Sequence, residues 1–101
     1  MTACVALTFD DGPSTATTGK LLDTLSQLGV HATFFTIGAH VAAAPQLVAR
    51  EIREGHVVGD HTWDHADLSK LSAADADSEI ARAAQAVASA SGTTPVLVRP
   101  P

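Results

Sequence analysis

Short apolar segments alternate with longer stretches of helical periodicity along almost all of this 101-residue chain, and that rhythm narrows the possible folds sharply. Val5, Leu7 and Phe9 alternate with Ala6 and Thr8, the pattern of a strand, and Gly12-Pro13 forces a turn just after Asp10-Asp11. Leu21, Leu22, Leu25 and Leu28 recur at helical spacing ahead of Gly29, so a helix with a core-facing leucine stripe is expected over 16–28. A second strand is expected from Ala32 to Ile37. Pro45 suits the first turn of a helix that carries Leu47, Val48 and Ile52 on one face and closes at Gly55. Val57-Val58 start a third strand. Ser72, with Asp75 three residues on, resembles a capping box and opens an alanine-rich helix through Ile80, Ala84 and Val87 to Gly92. Pro95 to Val98 reads as a fourth strand, from which Arg99 emerges. Strands separated by helices in this way pair in parallel, because a parallel connection needs a long, right-handed crossover.

The polar residues with chemical potential fall at the ends of those strands. Asp10 and Asp11 close the first, His61 follows the third and Arg99 the fourth. In parallel barrels, loops after different strands converge at that end, where the chemistry collects. His61 and His65 stand four apart, so on one helical turn both rings would share a face and grip one cation. A carboxylate from Asp10-Asp11 would be the third ligand. One aspartate can then hold the metal while its neighbour stays free as a base, which hydrolysis of an amide or ester requires.

Composition removes several alternatives. Apolar residues make up 46% and charged residues 17%, which fits a packed domain and not a disordered one. The formal net charge is -5 and no cluster of Lys or Arg occurs, so nucleic acid is not an expected partner. No apolar run reaches the ~18 residues of a membrane span, and the first residues lack the basic start and apolar centre of a signal peptide. The lone Cys4 forms no internal disulfide and is expected in the core.

Val5-Ala6-Leu7-Thr8-Phe9-Asp10-Asp11-Gly12-Pro13 resembles the first motif of the polysaccharide deacetylases, also called the NodB-homology domain or family-four carbohydrate esterases. His61-Thr62-Trp63-Asp64-His65 is similar to their second motif, and Arg99-Pro100-Pro101 to the start of their third. Ala32-Thr33-Phe34-Phe35 with Gly38 resembles their second strand, so the likeness runs along nearly the whole chain. The resemblance implies an α/β fold: a partial distorted (β/α) barrel of parallel strands with about four βα units. Residues 1–101 would be one such domain, cut after the start of the third motif, with the C-terminal half absent.

The resemblance also implies metal-dependent removal of N- or O-acetyl groups from carbohydrates of the chitin, peptidoglycan or xylan type. By motif position Asp10 is the base, and Asp11, His61 and His65 are the metal ligands. Arg99 is the residue that orients Asp10, and a nearby guanidinium favours the ionised, proton-accepting form of a carboxylate. Zinc is the expected ion, with cobalt or nickel also compatible with such ligands. A secreted or cell-envelope location follows by the same resemblance. The aromatic residue after the third motif and the late histidine acid of the family have no counterpart here, so the 101-residue chain is expected to be weakly active or inactive.

The remaining residues have plainer expected roles. Trp63 is read as packing that fixes the ligand loop, and not as a sugar platform. Asp60 and Asp64 are acidic neighbours of the kind that orient imidazoles, a role not expected of either in the main. His31, His40 and His56 lie outside the motif spacing and are read as surface or strand-end histidines. An incomplete barrel exposes its edge strands, so the competing reading is a metal-binding or assembly module that self-associates through open edges.

Overall fold

The computed structural model describes residues 3–101. Three strands, β1 (Thr8–Asp10), β2 (Thr33–Thr36) and β3 (Val57–Asp60), form one parallel sheet in the order β1-β2-β3. Four α-helices accompany them: α1 (Thr18–Leu28), α2 (Gly38–Ala43), α3 (Pro45–Arg53) and α4 (Ala73–Ser91). A 3₁₀ turn over Leu68–Lys70 precedes α4. This is the expected α/β architecture, an open sheet not closed into a barrel. The fourth expected strand is reduced to one parallel bridge between Val98 and Asp60, so the sheet has three strands and not four. Asp60 N–H donates to Leu97 O and Arg99 N–H to Asp60 O, both at 2.9 Å, and that pair of bonds is enough to dock Arg99 at the sheet's end.

Register explains which residues are buried. Phe9 lies opposite Phe34, and Phe34 opposite Val58, so these three share the face covered by helices. Phe34 joins Leu22, Leu25 and Ala32 in one buried cluster, with the Phe9 and Phe34 rings stacked at 5.4 Å. Val41, Val48, Val58 and Val87 form a second cluster between α2, α3, α4 and β3. Each buried side chain of this size contributes roughly 1.5–3 kcal/mol. The leucine stripe is shorter than expected: Leu28 is 69% exposed. Gly29, with φ 65°, reverses the chain there, donating to Ser26 O while Val30 N–H donates to Leu25 O. In this cap geometry Val30 packs back against the cluster, and the last helical residue is left outside it.

Two further expectations fail at the first strand. Val5 and Leu7 precede the paired segment and stay exposed, at 87% and 42%, and Cys4 is exposed instead of buried. Residues 3–7 have no strand neighbour on their outer side, so alternation alone gives them nothing to pack against. The capping expectation holds, since Ser72 Oγ accepts Asp75 N–H at 3.1 Å.

One buried group escaped the sequence reading. Glu51 on α3 lies three residues beyond Val48, on the apolar face, with no exposed surface. Among the described residues neither of its carboxylate oxygens has a hydrogen-bond partner, and burial pushes its carboxyl up to about 8.

Candidate metal centre

The opposite face of the sheet carries Asp10, Phe35 and Gly59 in register. Gly59 matters here because it has no side chain. A Cβ at that position would sit 2.6 Å from Phe35 Cδ1 and 3.2 Å from Leu97 O. The bare backbone lets the Phe35 ring lie across β3, and the Arg99 guanidinium lies over that ring, 4.2 Å from its centre. From there Arg99 Nη1 donates to Asp10 Oδ1 at 2.9 Å and to Thr8 Oγ1 at 3.0 Å. Gly59→Ala is expected to cost about 1–3 kcal/mol by overpacking, read from the urea midpoint. An unchanged midpoint would show that Phe35 can move aside freely.

Asp11 turns the other way. Its φ of 80° puts a non-glycine residue in the left-handed region, and Asp11 N–H donates to Phe35 O at 3.1 Å. The carboxylate is thereby directed at the histidines. His61 Nε2 lies 3.2 Å and His65 Nε2 3.4 Å from Asp11 Oδ1. One ligand atom from each of the three residues falls within 4.8 Å of the others. His61 is buried, whereas Asp11 and His65 are open to solvent, so the cluster has an inner wall and an open mouth.

The two histidines are not on a helix. They flank a loop after β3 in which Thr62 and His65 have φ of 72° and 65°. Such backbone costs on the order of 1–3 kcal/mol per residue and persists only where surrounding contacts impose it. The rings meet edge to face at 5.1 Å. Spacing of four brought them together, but through a strained turn and not through helical periodicity.

Hydrogen bonding decides what the cluster can hold. His61 Nδ1 is 2.6 Å from Arg99 O, and a carbonyl can only accept, so Nδ1 carries the proton. Nε2 is then the ring atom left facing the Asp11 carboxylate, and unprotonated it offers a lone pair to a cation held between the two. Four bonds of ~2.0–2.1 Å in tetrahedral array would put ligand atoms about 3.3 Å apart, between the two separations observed. The Asp/His/His set is therefore able to coordinate a divalent metal ion.

Asp60 and Asp64 do not orient imidazoles. Asp60 Oδ1 accepts Thr62 N–H at 2.9 Å and shapes the loop, while burial raises its carboxyl against the pull of that bond and of His61. Asp64 instead offers its N–H to Glu79 Oε1 at 3.4 Å. The imidazole partner is the Arg99 carbonyl, so the segment that supplies the guanidinium also fixes a histidine. Trp63 packs against Gly38 and Ala83, with Arg82 at 4.2 Å over its ring, which matches its expected role as packing. His40 differs from its expected role: exposed, it nonetheless reaches the centre, with Nδ1 2.6 Å from Asp11 O. No sequence signal marks it, because that contact spans 29 residues.

A cavity of about 600 Å³ adjoins the two aspartates, and Phe9, Leu21, Phe34, Ser14, Thr18 and His40 are among the residues that line it. A second, smaller one lies beside His31, Glu54 and His56. There His56 Nδ1 accepts Ala32 N–H at 3.0 Å, and burial lowers the imidazole's affinity for a proton.

Residues 2–101 match the family model described as polysaccharide deacetylase. The chain is 47% identical over 97 residues to the peptidoglycan-N-acetylglucosamine deacetylase PgdA of Listeria monocytogenes, covering 96% of itself and 21% of that protein. It is 47% identical over 89 residues to a chitooligosaccharide deacetylase of Bradyrhizobium, covering 88% of itself and 41% of that protein. Among solved structures, a T48 deacetylase with substrate superposes with a TM-score of 0.94 at 45% identity, over 97% of this chain and 49% of that one. The chain thus spans between a fifth and a half of the proteins it resembles. With motifs, fold and site geometry in agreement, the chain belongs to the polysaccharide deacetylase family.

Proposed function

We propose that the chain carries the metal-binding and base-catalytic part of a carbohydrate N- or O-deacetylase. The observation that supports it most is the paired arrangement of the two aspartates: adjacent in sequence, one engages Arg99 and the other faces His61 and His65. Asp11, His61 and His65 would hold the ion, zinc by preference for tetrahedral N/O ligands, with cobalt or nickel as substitutes. A divalent ion at this place supplies Lewis acidity, polarising an acyl oxygen and acidifying water.

The chain's own groups do the rest. Asp10 accepts the proton of the attacking water while Arg99, braced on Phe35, keeps the carboxylate aimed. His61 stays in one tautomer because its Nδ1–H remains on Arg99 O. Breakdown of the tetrahedral adduct needs an acid at the departing nitrogen or oxygen. None of the groups given a role above has that task, so turnover is expected below the ~1 s⁻¹ typical of slow enzymes. The substrates named for the relatives, peptidoglycan and chitooligosaccharide, support an acetylated amino sugar and a secreted or cell-envelope location. No described helix is long and apolar enough to cross a membrane.

The test is acetate release from a chitin oligomer by metal-loaded chain, followed over many hours. Slow release that stops with a chelator supports the reading; release at ordinary enzyme rates, or release that a chelator leaves undiminished, overturns it.

A second reading has its own observation. Val96, Leu97 and Val98 are 89%, 46% and 47% exposed, and β1 is an open edge of the sheet. Pairing of two copies through these edges would cover them. Light scattering is expected to show dimers at micromolar concentration, and a monomer throughout would exclude self-association.

A further inference from the structure

The metal centre is assembled from two segments, Asp11 after β1 and the His61–His65 loop after β3. Between them in space stands the first turn of α2, which supplies no ligand. Its main chain holds the histidine loop, with Gly38 N–H donating to Thr62 O at 2.9 Å and Ala39 N–H to Trp63 O at 2.8 Å. These are free amides of a helix start, which need acceptors in any case. On the other side His40 donates its Nδ1–H to Asp11 O at 2.6 Å, and Ile37 N–H donates to Gly12 O at 3.0 Å. One short turn therefore grips the carbonyls of both segments.

The seat of that turn is equally constrained. A Cβ on Gly38 would stand 2.6 Å from Trp63 Cε3 and 2.8 Å from Ala83 Cα, the second a backbone atom of α4 that cannot swing away. Gly38 thus lets α2 sit directly against α4 with the Trp63 ring beside it, and Arg82 covers that ring. The left-handed residues Asp11, Thr62 and His65 lie in the segments so held. Contacts of this kind are needed to maintain such backbone.

We propose that the first turn of α2 registers the two halves of the metal centre, with His40 and Gly38 as positioning residues. His40 sets where the Asp11 carboxylate stands, and Gly38 sets where the histidine loop stands relative to it. The inference rests on the metal-centre reading and is tested separately from it.

The probes are Zn²⁺, by competition with a chromophoric chelator, and Co²⁺, by its visible ligand-field bands, each on the 101-residue chain. His40→Ala is expected to weaken Zn²⁺ binding about tenfold and to alter the Co²⁺ bands, as loss of outer contacts to ligands typically does. The metal-free unfolding midpoint should move only slightly, because the His40 side chain is exposed. His40→Asn, whose amide can still donate to Asp11 O, should restore affinity to within about threefold. Gly38→Ala should weaken binding at least as much as His40→Ala, and should it fail to fold, the His40 pair decides. Wild-type affinity and bands in His40→Ala would overturn the registration role while leaving the metal centre standing, and so would an Asn variant as weak as Ala. Wild-type chain that binds neither ion would overturn both.

Discussion

Asp10→Asn is expected to keep its metal and lose turnover about 10²–10⁴-fold, the usual scale for removing a general base. Asp11→Ala and His61→Ala are expected to lose the metal itself. The reason lies in the geometry on either side of one peptide bond. Asp10 is on β1, shares a face with Phe35, and its carboxylate accepts from Arg99. Asp11 is beyond the strand in a left-handed conformation, and its carboxylate faces His61 and His65. Asparagine at Asp10 can still accept from Arg99 Nη1, so the site should keep its shape while losing a proton acceptor. Metal content by elemental analysis and acetate release, measured on the same preparations, separate the two roles. If Asp11→Ala retains full metal content, the ligand set is wrong. If Asp10→Asn turns over like wild type, another group is the base.

Glu51→Gln is expected to stabilise the protein at pH 8 by several kcal/mol while changing little at pH 5. Glu51 is fully buried, without a partner for either oxygen, and its carboxyl is raised from 4.5 to about 8. The folded protein keeps the carboxyl protonated, whereas the unfolded chain ionises above its ordinary value. Between pH 4.5 and about 8 the unfolded state therefore binds fewer protons, and stability falls as pH rises through that window. The accumulated loss is up to about 5 kcal/mol, levelling off above the folded value. His56 acts in the opposite sense. Its proton affinity is lowered by burial and by His31, so its contribution is present above the ordinary value of 6.5 and is lost as pH falls below it. The Glu51 effect is thus read as the difference between Glu51→Gln and wild type in urea unfolding at the two pH values. A difference that is the same at pH 5 and pH 8 would show that Glu51 is ionised, or solvated, in the fold.

How much of this was legible in the sequence depends on the range of the interaction concerned. The alternation of apolar strands with amphipathic helices, the Gly29 and Gly92 stops and the Ser72 cap are local effects, and each was readable from neighbours a few residues apart. The three candidate clusters were readable as positions too, since Asp10-Asp11, His61-His65 and Arg99 each close an extended segment. Other features were not readable. The His-x-x-x-His spacing suggested a helix, whereas the chain bends through two left-handed residues, because α2 amides and Asp60 capture the loop's polar groups. Leu28 fits the helical period yet lies outside the core, since the chain reverses at the next residue. Val96 to Val98 has the composition of a strand but keeps only one bridge.

The sequence by itself determined the residue types at the candidate metal centre and the strand ends on which they stand, because motif chemistry and hydrophobic period are written in short stretches. Only the tertiary structure decided the division between the aspartates in space, the tautomer of His61, the bracing of Arg99 on Phe35 above Gly59, and the reach of His40 to Asp11. Each of these depends on groups 24 to 89 positions apart meeting within a few ångströms. No local pattern encodes such a meeting. It is set by strand register and by how closely helices without intervening side chains can approach the sheet and one another.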